Sequence, residues 1–187
     1  MLSSVVALSG SPSADSRTAR AADYVLHRLA AGGQAVQHIA VRGLPAPELL
    51  TGSAAHPQVR LALEAVARAE GVVVATPVYK ASYSGLLKVF LDLLPQSGLA
   101  GKAVLPLVTG GSLAHMLAMD YALRPVLSAL GARHVVPGAF LLDSAIERVG
   151  AGACRIDPEA ELRLLQAVDG FAHALAGRGP LALATAP

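Results

Sequence analysis

Short apolar segments alternate with amphipathic segments along most of the chain. Residues 5–8 and 71–76 are continuous apolar runs, which is the pattern of parallel strands that are covered on both faces. Residues 17–31 repeat their apolar positions every three or four residues, as the buried face of a helix does. Ser, Gly and Pro follow the first run and predict a turn before the helix. The chain therefore begins as strand, loop and helix.

This alternation repeats and predicts five strands and five helices. Such an order is typical of an α/β protein, in which right-handed crossovers produce an open parallel sheet with helices on both faces. For a chain of 187 residues, the flavodoxin-like, doubly wound five-stranded sheet with strand order 2-1-3-4-5 fits this pattern. The predicted strands are 5–8, 35–41, 71–76, 103–109 and 134–142. The predicted helices are 17–31, 59–69, 84–94, 113–130 and 158–175.

The last predicted helix has a well-marked start. Asp157 is expected to cap it, and Pro158 is expected at its first position, where an N–H is not needed. We expect residues 1–177 to form one domain, and residues 178–187, which show no periodicity, to form a frayed tail. The side chains expected on the buried face of the helix are Leu162, Leu165, Phe171 and Leu175.

One residue conflicts with the predicted sheet. Pro106 lies inside the fourth strand, which is interior in this strand order, and proline has no N–H to donate to a ladder. The flanking residues Val104, Leu105, Leu107 and Val108 favour a strand. We therefore keep the strand and expect one ladder hydrogen bond to be missing there.

The composition indicates a folded protein and excludes several functional classes. Hydrophobic residues make up 53% of the chain and charged residues 15%, which is too apolar for intrinsic disorder. The formal net charge is +2 with scattered basic residues, and aromatic residues are 4% with no Trp. Neither a basic stripe nor a base-stacking platform for nucleic acids is therefore expected. A protein with this large an apolar fraction is expected to bury part of its surface in an oligomer.

The cysteine, histidine and hydropathy patterns indicate which cellular compartment to expect and whether to expect a metal site or a membrane span. Cys154 is the only cysteine in the sequence, so no internal disulfide can form, and we expect an inert thiol. The six histidines lack zinc-ligand spacing, so no metal site is expected. The N-terminus lacks a secretion-signal pattern, and no apolar stretch approaches about 20 residues. A cytoplasmic protein without a membrane span is expected.

Ligands of open parallel sheets bind beyond the carboxyl ends of the strands, so the loops there carry the candidate chemistry. The first loop, residues 9–18, places Ser, Thr and Arg side chains at the start of a helix. Free N–H groups and the helix dipole favour an anion such as phosphate at that place. The alternative is an ordinary serine-rich helix cap with Arg17 in solvent. The loop has neither Walker nor G-x-G-x-x-G spacing, which disfavours a nucleoside triphosphate or a Rossmann dinucleotide.

The next two loops at this edge suit a planar ligand. Residues 76–85 include two tyrosines and Lys80, and an aromatic ring can cover one face of a flat heterocycle. The alternative is that the tyrosines only close the end of the sheet. Residues 109–112 contain adjacent glycines, which let backbone approach a ligand closely or simply form a tight turn. His115, which follows, is expected to be a surface or packed histidine rather than a proton donor.

The three loops and the segment after them contain specific motifs. They are Gly10-Ser11-Pro12 with Ser16-Arg17-Thr18, Thr76-Pro77-Val78-Tyr79-Lys80 with Ser82-Tyr83-Ser84-Gly85, Thr109-Gly110-Gly111 with His115, and residues 120–125. Together they resemble the motifs of the NAD(P)H-dependent FMN reductases of flavodoxin-like fold. The resemblance is greatest to the flavin reductases of alkanesulfonate utilisation, which supply reduced FMN to a sulfonate monooxygenase. It runs from about residue 5 to residue 143 and fades beyond.

The resemblance implies a role in FMN binding for each loop. One departure is Ser13, where several relatives have an arginine. Hydride transfer between stacked nicotinamide and flavin rings needs orientation rather than a side-chain acid or base, so no catalytic residue is assigned. The resemblance implies that the phosphate is held by Ser9, Ser11, Ser16, Arg17 and Thr18, that the isoalloxazine ring is lined by Pro77, Val78, Tyr79 and Lys80, and that Thr109, Gly110 and Gly111 approach the flavin.

Three functions remain open from the sequence. The first is a flavin reductase that oxidises NADPH or NADH and supplies reduced FMN to a partner monooxygenase, in sulfonate-sulfur assimilation. The second is a reductase that retains FMN and reduces quinones, azo dyes or metal ions. The third is a flavodoxin-type electron carrier, which the net charge of +2 disfavours because such carriers are strongly acidic for docking.

Two features predict subunit contacts in a homodimer or homotetramer. The predicted helix 84–94 is apolar around nearly its whole circumference, so another subunit is expected to cover it. Pro125 lacks an N–H and clashes with the carbonyl of Tyr121, which predicts a wide, π-type turn at 119–124. A simple proline kink is the alternative. The resemblance implies an inserted residue here, at a subunit interface. Our hypothesis is that the π-type turn keeps this interface adjustable so that reduced flavin can leave.

Overall fold

The computed structural model of the chain describes residues 3–150 and 152–177, in which a sheet lies between two layers of helices. The predicted tail, residues 178–187, lies outside the described residues. The strands are β1 (Ser4–Ser9), β2 (Ala35–Ala40), β3 (Gly71–Tyr79), β4 (Ser82–Tyr83), β5 (Ala103–Gly110), β6 (His134–Val135), β7 (Ala139–Leu142), β8 (Ile146–Val149) and β9 (Ala153–Ile156). The helices are α1 (Arg17–Ala31), α2 (Ala46–Thr51), α3 (Pro57–Arg68), α4 (Gly85–Leu91), α5 (Arg124–Ala129) and α6 (Pro158–Ala176).

The sheet has the flavodoxin-like strand order. β1 pairs in parallel with β2 and β3, and β5 pairs in parallel with β3, β6 and β7. Because β6 and β7 are two pieces of the predicted fifth strand, the observed order β2-β1-β3-β5-β6 corresponds to the predicted 2-1-3-4-5. β4 turns back and pairs antiparallel with the end of β3. The predicted fold class is confirmed.

Side chains of the strands alternate between two cores, one on each face of the sheet. Along β1, Val5 and Ala7 join the core that contains α1 and α6, whereas Val6 and Leu8 join the core that contains α3 and α4. A strand covered on both faces requires this alternation. The continuous apolar runs in the sequence therefore serve two cores at once.

The buried face of α6 was predicted in part: Phe171 and Leu175 are buried as expected, whereas the two other predicted residues are not. Asp157 caps the helix as predicted and accepts hydrogen bonds from two N–H groups of the first turn. Leu162, however, is 59% exposed, and Leu165 is only half-buried. The helix has apolar residues on adjacent faces. The face that packs against the sheet starts at Ala160, two residues before the first residue of the predicted face. The buried residues are Ala160, Leu164, Val168, Phe171, Ala174 and Leu175.

The predicted helix 113–130 is not a single helix. It consists of a 3-10 turn (Leu113–His115), a π-helical turn (Met119–Leu123) and α5. The N–H of Arg124 bonds to the carbonyl five residues earlier, which is the π-helical pattern. Pro125 follows. Because proline has no N–H, the change from α-helical to π-helical hydrogen bonding leaves no donor unpaired at this position. The wide turn predicted from Pro125 is present, but the segment before it is 3-10 helical rather than α-helical.

Several elements and boundaries escaped prediction. The sequence analysis did not predict α2, β4 or the β8–β9 hairpin, because elements of two to six residues carry little periodicity. The predicted helix 84–94 is regular only from Gly85 to Leu91, and Ser84 is its cap. The third strand continues to Tyr79, so Pro77 and Val78 belong to the sheet rather than to a loop.

Apolar surface lies beside the π-helical turn rather than on α4. In α4, Leu87, Phe90 and Leu91 are buried, and its remaining apolar side chains pack against the same core. The need for a second subunit to cover this helix is therefore smaller than the sequence suggested. Around the π-helical turn, the exposed large side chains are Leu113, Met116, Leu117 and Tyr121.

Three further observations concern membranes, metals and the thiol. None of the helices described is both long enough and apolar enough to cross a bilayer. Within residues 3–150 and 152–177, His, Cys, Asp and Glu side chains form no group of three or more that could hold a metal ion. Burial raises the pKa of the Cys154 thiol, although Arg20 opposes this shift, so the thiolate form that reacts is disfavoured.

The fifth strand is interrupted beside Pro106. β6 pairs with residues 103–104 of β5 and β7 pairs with residues 107–110, so the gap between them lies opposite the proline. A residue without an N–H cannot donate to the ladder, as the sequence analysis noted. The chain passes this gap at Gly138, where a Cβ would lie 2.7 Å from the Pro106 carbonyl oxygen and 2.5 Å from the Met119 sulfur.

We expect Gly138→Ala to lower the free energy of unfolding by about 1–3 kcal/mol, because the added methyl group overpacks a filled site against backbone. Gly170→Ala is the matched control. Gly170 lies inside α6 with open space where its Cβ would be, so alanine should raise stability by about 0.5–1 kcal/mol. Urea denaturation measures both changes. A neutral or stabilising Gly138→Ala would contradict this account of the interruption.

Candidate functional site

The loops that follow β1 and β3 are joined by hydrogen bonds around one buried serine. Ser84 Oγ donates to the Gly10 carbonyl oxygen at 2.5 Å and accepts from the Leu87 N–H at 3.1 Å, so it also caps α4. The Ser84 N–H donates to Thr76 Oγ1 at 3.0 Å, and the Gly10 N–H donates to the Ala75 carbonyl oxygen at 2.9 Å. These bonds satisfy buried polar groups and fix the two loops relative to each other.

Gly10 is required by this close approach. A Cβ at this position would lie 2.5 Å from Leu87 Cβ and 2.8 Å from Ser84 Oγ. Both distances are shorter than packed side chains tolerate. The first loop therefore passes directly over the start of α4, and any side chain larger than hydrogen at position 10 would separate them.

Hydroxyl groups of the first loop and of β5 meet at the start of α1. Thr18 Oγ1 and Thr109 Oγ1 are both buried and share a hydrogen bond of 2.7 Å. Ser16 caps α1 by accepting from the Ala19 N–H at 3.0 Å. Ser11 Oγ accepts from the N–H two residues further along the chain at 3.3 Å. The structure thus places three of the predicted serine and threonine residues of this loop, and Thr109 of the third loop, at one end of the sheet.

Arg17 is the first residue of α1 and is half-buried. Its Nε donates to the carbonyl oxygen of Ile146 at 3.1 Å, a contact that comes from the β8–β9 hairpin. A guanidinium bound at Nε still has terminal nitrogens that can donate to an anion in a bidentate manner. Arg17 is therefore not the freely solvated side chain of the alternative interpretation.

Ser9 differs from the other hydroxyl residues of the first loop. Its buried Oγ lies 2.8 Å from His38 Nε2, and His38 Nδ1 lies 2.7 Å from Asp23 Oδ1. When the carboxylate accepts from Nδ1–H of a neutral imidazole, Nε2 accepts from the Ser9 hydroxyl. In that arrangement the Ser9 hydroxyl proton is directed at His38, which makes Ser9 a poorer phosphate ligand than its sequence position suggests. His38 and Asp23 were not among the predicted site residues, because His38 lies 29 residues after Ser9 and Asp23 lies beyond the first turn of α1.

The second loop is a tight hairpin between β3 and β4. Pro77 and Val78 are buried in β3, whereas Tyr79 and Lys80 are exposed at its end. Lys80 and Ala81 both have positive φ, 51° and 62°, as the two central residues of a type I′ turn do. Neither residue is glycine, so the turn is strained, and strain of this kind is often found at functional sites.

The third loop lies against Phe140 of β7. A Cβ on Gly110 would lie 3.0 Å from the Phe140 ring, whereas a Cβ on Gly111 would meet nothing closer than Asp143 Oδ2 at 3.9 Å. The backbone is therefore crowded at Gly110 and open at Gly111. His115 follows in the 3-10 turn, and its buried Nδ1 has no hydrogen-bond partner among the described residues. It is a packed histidine with one unsatisfied nitrogen.

A cavity of about 710 Å³ lies beside these loops rather than between them. It follows β7 and the start of α6, and it shares no residue with the three loops. Size alone would favour this cavity as a binding site. Ligands of open parallel sheets bind at the carboxyl ends of the strands, where the hydrogen-bonded loops lie, so the loops rather than the cavity form the candidate site. The residues around the cavity include Leu113, Met116, Met119, Phe140, Asp157 and Arg163.

Fold and site together define a flavodoxin-like, flavin-binding class of protein. In this class the sheet has the order observed here, and FMN binds at the switch point beside β1 and β3. The chain belongs to the family of NADPH-dependent FMN reductases, whose sequence model matches residues 3–147.

Characterised relatives support this assignment. The chain is 45% identical to an FMN reductase (NADPH) of Pseudomonas putida, over 93% of this chain and 89% of the relative. It is 45% identical to an FMN reductase (NADPH) of Escherichia coli, over 76% of this chain and 74% of the relative. The apo crystal structure of the NADH:FMN oxidoreductase EMOB superposes with a TM-score of 0.82 at 45% identity, covering 95% of this chain and 91% of that one.

Proposed function

We propose that the protein is a flavin reductase that oxidises NAD(P)H, reduces FMN and releases the reduced FMN to a separate monooxygenase. Membership of the family supports the NAD(P)H-dependent reduction of FMN. The observation that carries the proposal is the set of hydrogen bonds that joins the first two loops at the switch point of the sheet. Supply of a monooxygenase, and with it a place in sulfonate-sulfur assimilation, goes beyond family membership and is part of the proposal.

The first loop suits the phosphate group of FMN. Ser11 and Ser16 each accept a backbone N–H, so their hydroxyl protons remain available as donors. Thr18 adds a buried hydroxyl, and Arg17 adds a charged donor at the start of α1. The unpaired N–H groups and the dipole at a helix N-terminus also stabilise an anion. Donors of these kinds at the start of α1 support a phosphate site there.

The second and third loops suit the isoalloxazine ring. Bound FMN supplies the hydride-accepting ring for NAD(P)H. Tyr79 and Lys80 stand at the exposed end of β3, and Gly111 leaves open space beside the end of β5. Pro77 and Val78 are buried behind them and give the second loop a rigid base. The role of these residues is to bind and orient rings for direct transfer, so none acts as an acid or base.

We also propose that the exposed apolar surface at the π-helical turn is the subunit interface of a homodimer or homotetramer. Tyr121 is 79% exposed there, and Leu113, Met116 and Leu117 are exposed near it in the chain. Large apolar side chains exposed to this extent often mark an interaction site. Tyr121 lies in the π-helical turn, and Pro125 follows it in the first turn of α5. π-helical turns are frequent at functional sites. An interface built on such a segment can adjust when reduced flavin leaves.

Flavin-free protein should oxidise NADPH or NADH only when FMN is added, at a rate that saturates with free FMN. An FMN-retaining reductase of quinones, azo dyes or metal ions would instead be yellow as purified and would need no added FMN. A flavodoxin-type carrier would not oxidise NAD(P)H. A reduced-flavin-dependent sulfonate monooxygenase, added with an alkanesulfonate and O2 but with no other reductant, should then release sulfite. No sulfite release despite NAD(P)H oxidation would contradict the proposed partner.

Arg17→Ala should weaken FMN binding by about 1.5–3 kcal/mol, the loss of a charge-assisted hydrogen bond, with the fold intact. Riboflavin has no phosphate, so its affinity should not change. Arg28→Ala, in the last turn of the same helix, is the matched control and should leave both affinities unchanged. Fluorescence quenching of the flavin measures the binding. Unchanged FMN affinity in Arg17→Ala would remove Arg17 from the site.

Deleting Tyr121 should restore a regular helical register before Pro125. If the π-helical turn helps reduced flavin to leave, the variant should retain flavin on purification and turn over free FMN more slowly. Tyr121→Ala is the control, because it removes the side chain and keeps the register. Absorbance of the purified protein, steady-state turnover and mass by light scattering are the measurements. A folded deletion variant that stays flavin-free and turns over normally would show that the turn has no role in release.

A further inference from the structure

The β8–β9 hairpin lies at the end of the family model, which matches residues 3–147, and it contacts the first loop closely. Three arginines make these contacts, two from α1 and one from β8. The contact of Arg17 with the Ile146 carbonyl is one of them. The function proposed above does not explain why a hairpin should be bound so firmly to the loop that holds phosphate.

Arg20 joins α1 to the end of the hairpin. Its side chain is only 14% exposed. Nη1 donates to the carbonyl oxygens of Gly150, at 3.1 Å, and Ala153, while Nε and Nη2 donate to Asp15 Oδ1 at 3.1 and 2.8 Å. A guanidinium with donors committed to backbone on one side and to a carboxylate on the other is fixed in position.

Asp15 also forms an ion pair with a second arginine, which belongs to the hairpin. Arg148 Nη1 lies 2.8 Å from Asp15 Oδ2, and the same nitrogen donates to the Asp15 carbonyl oxygen at 3.4 Å. One carboxylate of the first loop therefore accepts from Arg20 on α1 and from Arg148 on β8. Networks of this kind are worth more than isolated surface pairs, because several charges share one geometry.

The network fixes the carbonyl that holds Arg17. Ile146 begins β8, two residues before Arg148, so the position of its carbonyl depends on where β8 lies against the loop. Arg17 Nε donates to that carbonyl, and this bond limits the directions in which the terminal nitrogens can point. Without the network, the Ile146 carbonyl would not be held in place, and Arg17 would lose the contact that fixes its orientation.

We propose that Asp15, Arg20 and Arg148 are positioning residues for FMN, which hold the β8–β9 hairpin on the first loop so that the Ile146 carbonyl directs Arg17 towards the flavin phosphate. This proposal rests on the phosphate site proposed above. It assigns the hairpin to FMN specificity and predicts that the network acts on FMN through Arg17 alone.

Asp15→Ala separates this proposal from simple electrostatics. Removing a carboxylate makes the loop more positive, so charge alone predicts tighter FMN binding. Loss of positioning predicts weaker binding, by about three- to tenfold. Asp15 is 54% exposed, so the fold should tolerate the change. Glu147→Ala is the matched control. Glu147 is an exposed carboxylate of the β8–β9 hairpin, and it pairs with Arg155 rather than with the first loop.

Arg148→Ala tests the same network from the hairpin side. In Arg148→Ala, FMN affinity should again fall by about three- to tenfold, whereas riboflavin affinity should not change. Arg148→Lys should recover part of the loss. Arg155→Ala removes an equal charge from the neighbouring strand and should have no effect. The KM for FMN should rise in Arg148→Ala, and the KM for NAD(P)H should stay the same.

A double variant decides whether the network acts through Arg17. If it does, adding Arg148→Ala to Arg17→Ala should cause little further loss of FMN affinity, because coupled residues are not additive. Independent, additive losses would overturn the proposal, as would tighter FMN binding in Asp15→Ala or equal losses for riboflavin. If Arg17→Ala itself leaves FMN affinity unchanged, the phosphate site and this proposal are both wrong. If only the hairpin variants are without effect, the site stands and the positioning role is wrong.

Discussion

The arrangement of the site depends on the hydrogen bonds that connect the loops at the carboxyl ends of β1, β3 and β5. Chains that leave parallel strands carry backbone groups that need partners. Here Ser84 supplies partners for the first loop and for the start of α4, and the pair formed by Thr18 and Thr109 links α1 to β5. Because these bonds are buried and short, the loops hold their relative positions before any ligand arrives. A binding site formed in advance in this way loses little entropy on binding.

The two ends of the proposed flavin site differ in rigidity. The phosphate end is held by caps, buried hydroxyls and the arginines that join the first loop to the β8–β9 hairpin. The opposite end borders the π-helical turn, where hydrogen bonds are irregular and large apolar side chains are exposed. A reductase that releases its product needs specific recognition together with a route for departure. On our proposal, the start of α1 offers the specific recognition and the segment that contains Tyr121 offers the route for departure.

Local patterns in the sequence were sufficient for most of the fold. Continuous apolar runs identified the strands, and the missing N–H of Pro125 predicted the π-helical turn, because both arguments need only neighbouring residues. The interrupted fifth strand, the β8–β9 hairpin and the role of His38 could not be predicted in the same way. Each depends on contacts between residues far apart in the chain. The glycines at 150 and 152, both with positive φ, were the one local signal for the hairpin, since two glycines so close together favour a reversal of the chain.

The central claim is that FMN binds across the three hydrogen-bonded loops with its phosphate at the start of α1. A crystal structure of the protein with FMN tests this claim directly. The account predicts that phosphate oxygens lie within hydrogen-bond distance of Ser11, Ser16 and Arg17, and that the Ser84 to Gly10 bond is unchanged. FMN bound instead in the cavity beside β7, or a first loop that moves away from Ser84 to accept the flavin, would contradict it.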